Sequence, residues 1–548
     1  MNRRQKIIVS VTGIFLVLLI LVGLTYAYFL TKINGNTNDK SISVTTANLI
    51  LKYDDINDIL ISENAVEPGK SWVKTFSATN KGNKAVTYGV ALENVVNTLE
   101  RTEDLVYTIS CTQYLKQGYS ITKDGNNYTV NGTTSGTCNG VSDEQEFPTM
   151  GKILVTNSIE DDKVQVYTLV VTYKDTGTDQ SIDMNKQFSA KANLVNPSTF
   201  NSYVGSMLNS VIIGSAKNAS EESDTTRTTL GSEVTEFTSI SGSNEHVLNT
   251  APDDYGTSYY FRGNVVDNYV SFADKVWRIV RINGDGSIRL ILDDVAKDSD
   301  GNEIITAFNT DSYDNAYVGY MYGTSGSTTY EATHENKNDS TIKIAVDKWY
   351  EDNLKTNYVN YLSDTLFCGD KTIAESGIGS NNTAKGYGTN KTYYSATERL
   401  MYSSGTTAIT TSTPTFKCAE KASDNYSRYT TTKNTLPNGK ETNGNLKYPI
   451  GLLTADEVAY AGAYKPGQTN KSYYLYNSSI TSIWWLSSPY NYNGSNAYEW
   501  YVSGSNGSIN SSYVGNTYAL RPSINLKASV LINGGDGTSS NPYTLKLS

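Results

Sequence analysis

Residues 483–526 read IWWLSSPYNYNGSNAYEWYVSGSNGSINSSYVGNTYALRPSINL, and this stretch decides how the chain is organised. It opens on two adjacent indoles, Trp484 and Trp485, and closes on Leu520-Arg521-Pro522. Between Pro489 and Ala519 more than two thirds of the residues are Asn, Tyr, Ser or Gly. The flanks have the apolar density of buried strands. The centre predicts strand, turn, strand, with Gly504-Ser505-Asn506-Gly507 as the turn. Tyr supplies contact area at low entropy cost, while Asn, Ser and Gly adapt their hydrogen bonds, the mixture that immune recognition loops use. The expectation is a stiff frame presenting a ligand-binding face made of Tyr490, Asn491, Tyr492, Asn493, Ser495, Asn496, Tyr498, Trp500, Asn506, Asn510, Tyr513 and Asn516. The competing reading is an ordinary surface hairpin in a chain that contains 42 Tyr.

Upstream, Val276-Trp277-Arg278-Ile279-Val280-Arg281-Ile282 and Ile288-Arg289-Leu290-Ile291-Leu292 flank Asn283-Gly284-Asp285-Gly286-Ser287, the strongest hairpin signal in the sequence. A phosphate cradle would need a helix after the glycines, and a calcium loop more oxygen ligands at alternate positions, so this is a bare turn. Ser340 caps a helix whose apolar residues, Ile342, Ala345, Val346 and Trp349, share one face. Thr454-Ala455-Asp456-Glu457 is a capping box opening a helix that ends at Gly462, and capping explains Asp456 and Glu457 better than acid–base chemistry does. Hairpin, helices and a strand-rich end make residues 255–548 an α+β domain.

Before it, Phe200, Tyr203, Val204, Met207, Leu208 and Val211 have helical spacing, and Ser215 to Asn249 is polar and poor in apolar residues. Residues 198–254 therefore read as a short helix and a flexible spacer. Residues 34–197 carry short strand patterns at Ser41–Val44, Leu49–Leu51, Trp72–Thr79, Val86–Leu92, Val164–Tyr173 and Phe188–Val195. Turns fall at 67–70 and 80–83, and the pattern implies an all-β sandwich. Residues 1–33 read as a transmembrane helix or leader. Arg3, Arg4 and Lys6 precede an apolar run from Ile7 to Leu30, about 36 Å long at 1.5 Å per residue, enough to span a membrane. The basic flank places the bulk of the chain outside the cell, as a single-pass membrane protein or a secreted one if the leader is cleaved.

At 548 residues the chain is long enough for several domains, and a net charge of −10 without a basic stripe argues against nucleic acid as a partner. Cys111 with Cys138, and Cys368 with Cys418, fit two local disulfides in an exported protein. Only His246 and His334 are present, both in polar stretches, so a histidine-based catalytic or zinc site is not expected; no cofactor and no metal are.

Two resemblances extend this reading. Gly23-Leu24-Thr25-Tyr26-Ala27-Tyr28-Phe29, Thr46-Ala47-Asn48-Leu49, Pro68-Gly69, Thr75-Phe76 and Asn80-Lys81-Gly82 resemble the camelysin/TasA family of exported Gram-positive surface proteins. That resemblance covers about the first 100 residues and implies a jelly-roll-like sandwich and an extracellular place. The proteolysis described for camelysin finds no metal-ligand cluster here to carry it. Trp277-Arg278-Ile279-Val280, Cys368, Leu453–Glu457, Trp485–Pro489, Leu520–Leu526 and Gly535-Asp536-Gly537-Thr538 with Asn541-Pro542-Tyr543 resemble a C-terminal domain common on Gram-positive surface proteins. Its closing part is similar to the C-type-lectin-like fold of formylglycine-generating enzymes and of variable proteins diversified by retroelements. In the diversified proteins Asn- and Tyr-rich positions near the C-terminus are the ones rewritten; an adenine/thymine-rich genome would enrich the same residues. The late cysteines of formylglycine-generating enzymes and the Glu-Pro-Asn or Gln-Pro-Asp motifs of calcium lectins are missing.

The function expected is a non-enzymatic cell-surface receptor or adhesin whose partner is an unknown protein or glycan, anchored through residues 7–30. The alternative is a biofilm-fibre or matrix subunit. A cell-wall hydrolase ranks last, because it needs a convergent carboxylate pair that the sequence does not name.

Overall fold

The structure is a computed structural model. It describes residues 31–35, 40–44, 47–57, 59–61, 68–97, 99–124, 127–183, 188–197, 200, 204–234, 237, 246–374, 383, 385–401, 413–418, 425–463 and 466–547. The segment expected to cross the membrane, 7–30, lies outside these residues. Among those described, no helix is long and apolar enough to do so. The chain divides into two compact units, Met1–Val211 and Ile212–Ser548.

The first unit is a β-sandwich. One sheet carries Lys152–Ile159, Val86–Asn97, Phe188–Val195, Thr31–Gly35 and Ile59–Ile61 in that order; the other carries Val141–Glu146, Leu105–Leu115, Lys163–Tyr173, Ser71–Asn80, Ala47–Asn57 and Lys40–Val44. Alternate residues of both sheets meet in one core, including Trp72, Phe76, Tyr88, Val90, Ile109, Tyr167, Leu169 and Phe188. That alternation is what a sheet with one buried face requires. Within the core, Tyr88 Oη donates to Gln165 Oε1 at 2.5 Å and lies 2.7 Å from Tyr167 Oη, so the buried phenols are partnered. Thr31–Gly35 pairs parallel with Phe188–Val195, which starts the sandwich slightly before the expected boundary at residue 34. Cys111 and Cys138 are bonded.

The polar stretch that follows is not simply a spacer. A helix runs over Leu208–Glu221, beginning where the apolar spacing suggested a helix should be ending. Its buried residues Leu208, Val211, Ile212, Ala216 and Ala219 continue the helical period into a Ser/Asn-rich segment, where small residues suffice to pack. Further on, Thr229–Leu230 pairs with His246–Pro252, and Asp267 accepts from the Thr228 amide (3.0 Å) and hydroxyl. Structure of the second unit thus begins well before residue 255.

In that unit Lys275–Ile282 and Ile288–Leu292 form the expected hairpin, part of a ten-stranded sheet that also pairs Ile288–Leu292 with Ser523–Leu526. The Ser340 hydroxyl caps Thr341–Asn353 at the Lys343 amide. Thr454 and Glu457 form a complete capping box on Ala455–Ala461, which stops at Gly462. Glu457 does more than cap. Its Oε2 accepts the Thr454 amide at 3.0 Å, while Oε1 accepts Arg289 Nη1 at 2.9 Å and Arg281 Nε at 3.3 Å. Arg281 also donates to Asp253 Oδ2 at 3.0 Å, and Arg399 grips both oxygens of Asp456 at 2.7 Å. Burial pulls the Arg289 guanidinium down to about 10, with Glu457 acting against that fall. Cys368 and Cys418 are bonded beside this network.

Glu457→Gln leaves two buried guanidiniums short of their counter-charge. It is expected to lower the unfolding free energy of the second unit by about 3–5 kcal/mol, read from urea titration. Replacing Cys368 and Cys418 by Ser opens a loop with a sequence separation of 50. The loop-entropy relation puts the cost at about 4 kcal/mol. The melting transition of the second unit should fall while that of the sandwich stays in place; loss of both transitions together would show that the units are not independent.

Candidate recognition face

The C-terminal stretch forms a three-stranded antiparallel array, Ile483–Tyr492, Ala497–Ser503 and Ile509–Tyr513. Ile483 stands opposite Ser503, and Tyr498 opposite Tyr513. Thr392–Tyr393 pairs with the Tyr492 end of the first strand. The frame is apolar and closed: Trp484, Trp485, Leu486, Trp500, Val502, Ile509 and Val514 are buried. Trp485 Nε1 donates to Thr306 O at 3.0 Å, and Arg521 lies over the Trp484 ring at 4.9 Å. The strand is bonded to the capped helix, because Ser488 Oγ accepts the Ala455 amide at 2.9 Å and the Ser487 amide donates to Leu453 O at 2.9 Å.

The expected contact residues separate into two groups. Asn491, Tyr492 and Trp500 are buried and belong to the frame, not to the contact surface. Period-two alternation could not exclude them, since it does not say which face is covered. Asn493, Ser495 and Asn516 are exposed, and Tyr490, Asn496, Tyr498, Asn506, Asn510 and Tyr513 are half-buried. Tyr498 and Tyr513 meet edge to face at 6.4 Å, and Tyr490 meets Trp500 at 5.1 Å and Tyr393 at 6.2 Å. These contacts hold the rings at fixed angles, with Tyr490, Tyr498 and Tyr513 half-buried and Trp500 fully buried beside Tyr490.

The asparagines share one habit. Asn493 Oδ1 accepts the amides of Ser495 and Asn496, both at 2.9 Å, Asn506 Oδ1 that of Ser508 at 3.0 Å, and Asn510 Oδ1 that of Ser511 at 2.8 Å. Backbone amides thus take the oxygens of Asn493, Asn506 and Asn510 and leave their Nδ2 donors, whereas Asn516 Nδ2 is spent on Ser512 Oγ at 2.8 Å. The hairpin tip is held as well. Gly507 has φ +67°, a Cβ there would stand 1.9 Å from Asn470 O, and the Asn470 amide donates to Asn506 O at 2.9 Å.

One contributor escaped the sequence reading. The segment Ser312–Tyr317 docks on the array: Ser312 Oγ reaches Asn496 Oδ1 at 3.0 Å and Tyr513 Oη at 3.2 Å, and Tyr492 Oη donates to Tyr313 O at 2.9 Å. Tyr313 itself is 59 % exposed, its ring 5.2 Å from that of Tyr317. The run Asp311-Ser312-Tyr313-Asp314-Asn315-Ala316-Tyr317 has the same Tyr/Asn/Ser character as the C-terminal stretch, and that was the available signal. His334 is buried with Nε2 on Gly386 O at 2.8 Å, and burial holds its imidazole well below its usual range.

Within the array Glu499 is wholly buried, and neither carboxyl oxygen has a hydrogen-bond partner. Burial pushes its carboxyl well above the usual range, opposed only by the neighbouring Trp500 amide. No family model matches the chain, and neither does any curated protein.

The raised Glu499 carboxyl fixes a sign. The folded chain retains a proton that the unfolded chain releases near pH 4.3, so stability falls as pH rises above that value, by about 1.4 kcal/mol per pH unit until the folded carboxyl ionises. Glu499→Gln should melt later than the native chain at pH 7, with the gap closing towards pH 4. A gap of constant size across that range would contradict the assignment.

Proposed function

We propose that this chain is a cell-surface ligand-binding protein, a receptor or adhesin, whose contact surface is the Tyr/Asn face of the C-terminal array extended by Tyr313. The observation that carries the reading is the layering of that array. A closed apolar frame lies beside half-buried phenol rings, and around them backbone amides take the oxygens of Asn493, Asn506 and Asn510 and leave their Nδ2 donors. Such a surface is neutral and rich in donors. It suits a ligand dense in oxygen acceptors, such as a glycan or the backbone and polar side chains of a protein.

The reading gives each part of the chain a role. The sandwich is a camelysin/TasA-like base, the second unit a C-type-lectin-like scaffold, and the apolar N-terminus the attachment to, or export signal through, the membrane. The exposed and half-buried positions Tyr490, Asn493, Asn496, Tyr498, Asn506, Asn510, Tyr513 and Asn516 are the ones at which retroelement-type variation would alter specificity without touching the frame.

The test is the full chain presented to glycan and cell-surface protein arrays. A specific binder is expected, and Tyr313→Ala or Tyr498→Ala should weaken it at least about tenfold, the loss typical of an aromatic anchor, with the melting temperature unchanged. Binding that survives both substitutions, or no binder above background on either array, would overturn the proposal.

A further inference from the structure

Between Lys471 and Arg521 the sequence holds a single Asp, Glu, Lys, Arg or His, and it is Glu499. It stands on the middle strand of the array, Ala497–Ser503, wholly buried, with no hydrogen-bond partner for either carboxyl oxygen among the described residues. We propose that Glu499 is a proton latch. Neutral, it lets the array stay shut; ionised, it opens the middle strand locally while the rest of the second unit remains folded.

The neighbours explain why no partner steps in. On the first strand Glu499 is paired with Pro489, which has no amide hydrogen, and on the third with Ser512. The Ser512 hydroxyl is already engaged: it lies 2.9 Å from Tyr518 Oη and accepts Asn516 Nδ2 at 2.8 Å. The elements packed on the middle strand are Ile483–Tyr492, Ile509–Tyr513 and the 3-10 turn Asn315–Val318. Their titratable groups are the phenols of Tyr490, Tyr492, Tyr513 and Tyr317, and the middle strand itself adds those of Tyr498 and Tyr501. Asp314, which caps the turn, is held by the amides of Ala316 and Gly326, both at 2.9 Å. Among the described residues no cation acts on the Glu499 carboxyl. Ionised, it would be a bare charge in an apolar layer, a state that a protein leaves by taking up a proton or by admitting water.

The ladder is interrupted where the opening is needed. From Trp485 to Pro489 the first strand advances four residues while the middle strand advances two, from Tyr501 to Glu499. Within that bulge Ser487 and Ser488 bond to Leu453 and Ala455 instead of to the middle strand. The middle strand can therefore part beside Glu499 without breaking the seam to the helix Ala455–Ala461. The direction follows from proton linkage. The shut form holds a proton that the open form releases. Each pH unit above the ordinary carboxyl value of about 4.3 thus favours opening by about tenfold, until the carboxyl ionises in place.

The test uses no ligand, so its outcome is independent of the receptor reading. Hydrogen exchange on the full chain is followed at the amides of Ala497–Ser503 and, for reference, at those of the hairpin strand Lys275–Ile282. After correction for the intrinsic exchange rate, protection of the array amides is expected to fall by about tenfold per pH unit between about pH 5 and about pH 8. Glu499→Gln should remove that fall. Dilute urea should speed exchange in the hairpin strand and leave the array amides unchanged, because a local opening exposes little surface. The infrared difference between the native chain and Glu499→Gln at neutral pH should contain the C=O stretch of a protonated carboxylic acid. Array protection that is flat with pH, a fall that persists in Glu499→Gln, or no carboxylic acid band would each overturn the proposal. So would array and hairpin amides with the same protection and the same urea dependence, since the array would then open only when the whole unit unfolds.

Discussion

The second unit depends on one carboxylate. Glu457 closes the N-terminus of its helix with one oxygen and holds two arginines of the central hairpin with the other. The same short helix is bonded to the C-terminal strand through Ser488. Hairpin and helix are therefore held together by a single buried group, and the C-terminal strand joins them through Ser488. Buried ion pairs add little net stability over well-packed apolar residues, because desolvation consumes most of the attraction. Their geometric demand is strict, however. Two guanidinium forks and an amide can satisfy one carboxylate in few arrangements, so the network selects an orientation more than it deepens the energy well.

What the sequence revealed and what it withheld follows from the range of the interactions involved. The central hairpin, the N-cap at Ser340, the capping box at Thr454 and six of the sandwich strands are set by neighbours within a few residues and were legible; Leu105–Leu115, Val141–Glu146 and Lys152–Ile159 were not. The cysteine pairs were legible because each lies within one likely domain. The second roles of Asp456 and Glu457 were not, since their arginine partners lie far away in sequence. The helix Leu208–Glu221 was misplaced because its packing uses Ala and Ile within a Ser/Asn-rich context that resembles a linker by composition.

The candidate face was legible as a composition and not as a surface. Tyr492 and Trp500 have the chemistry of contact residues but lie in the frame, and Tyr313 meets Tyr492 from a segment 179 residues earlier in the chain. Long-range docking of that kind leaves no periodic trace. The buried carboxyl of Glu499 is similarly silent: a single acid in an alternating strand reads as solvent-facing until a second layer is known to cover it.

The hairpin tip has a consequence for how this surface can evolve. With Gly507 pressed against Asn470 and the adjoining amide bonded across the gap, the loop has no room to grow or shrink. Insertions and deletions there would break the seam that anchors the whole array, whereas exchanges of outward side chains leave it intact. On the proposed reading, variation would act by respelling a fixed-length surface, in contrast to antibody loops, which also change their reach.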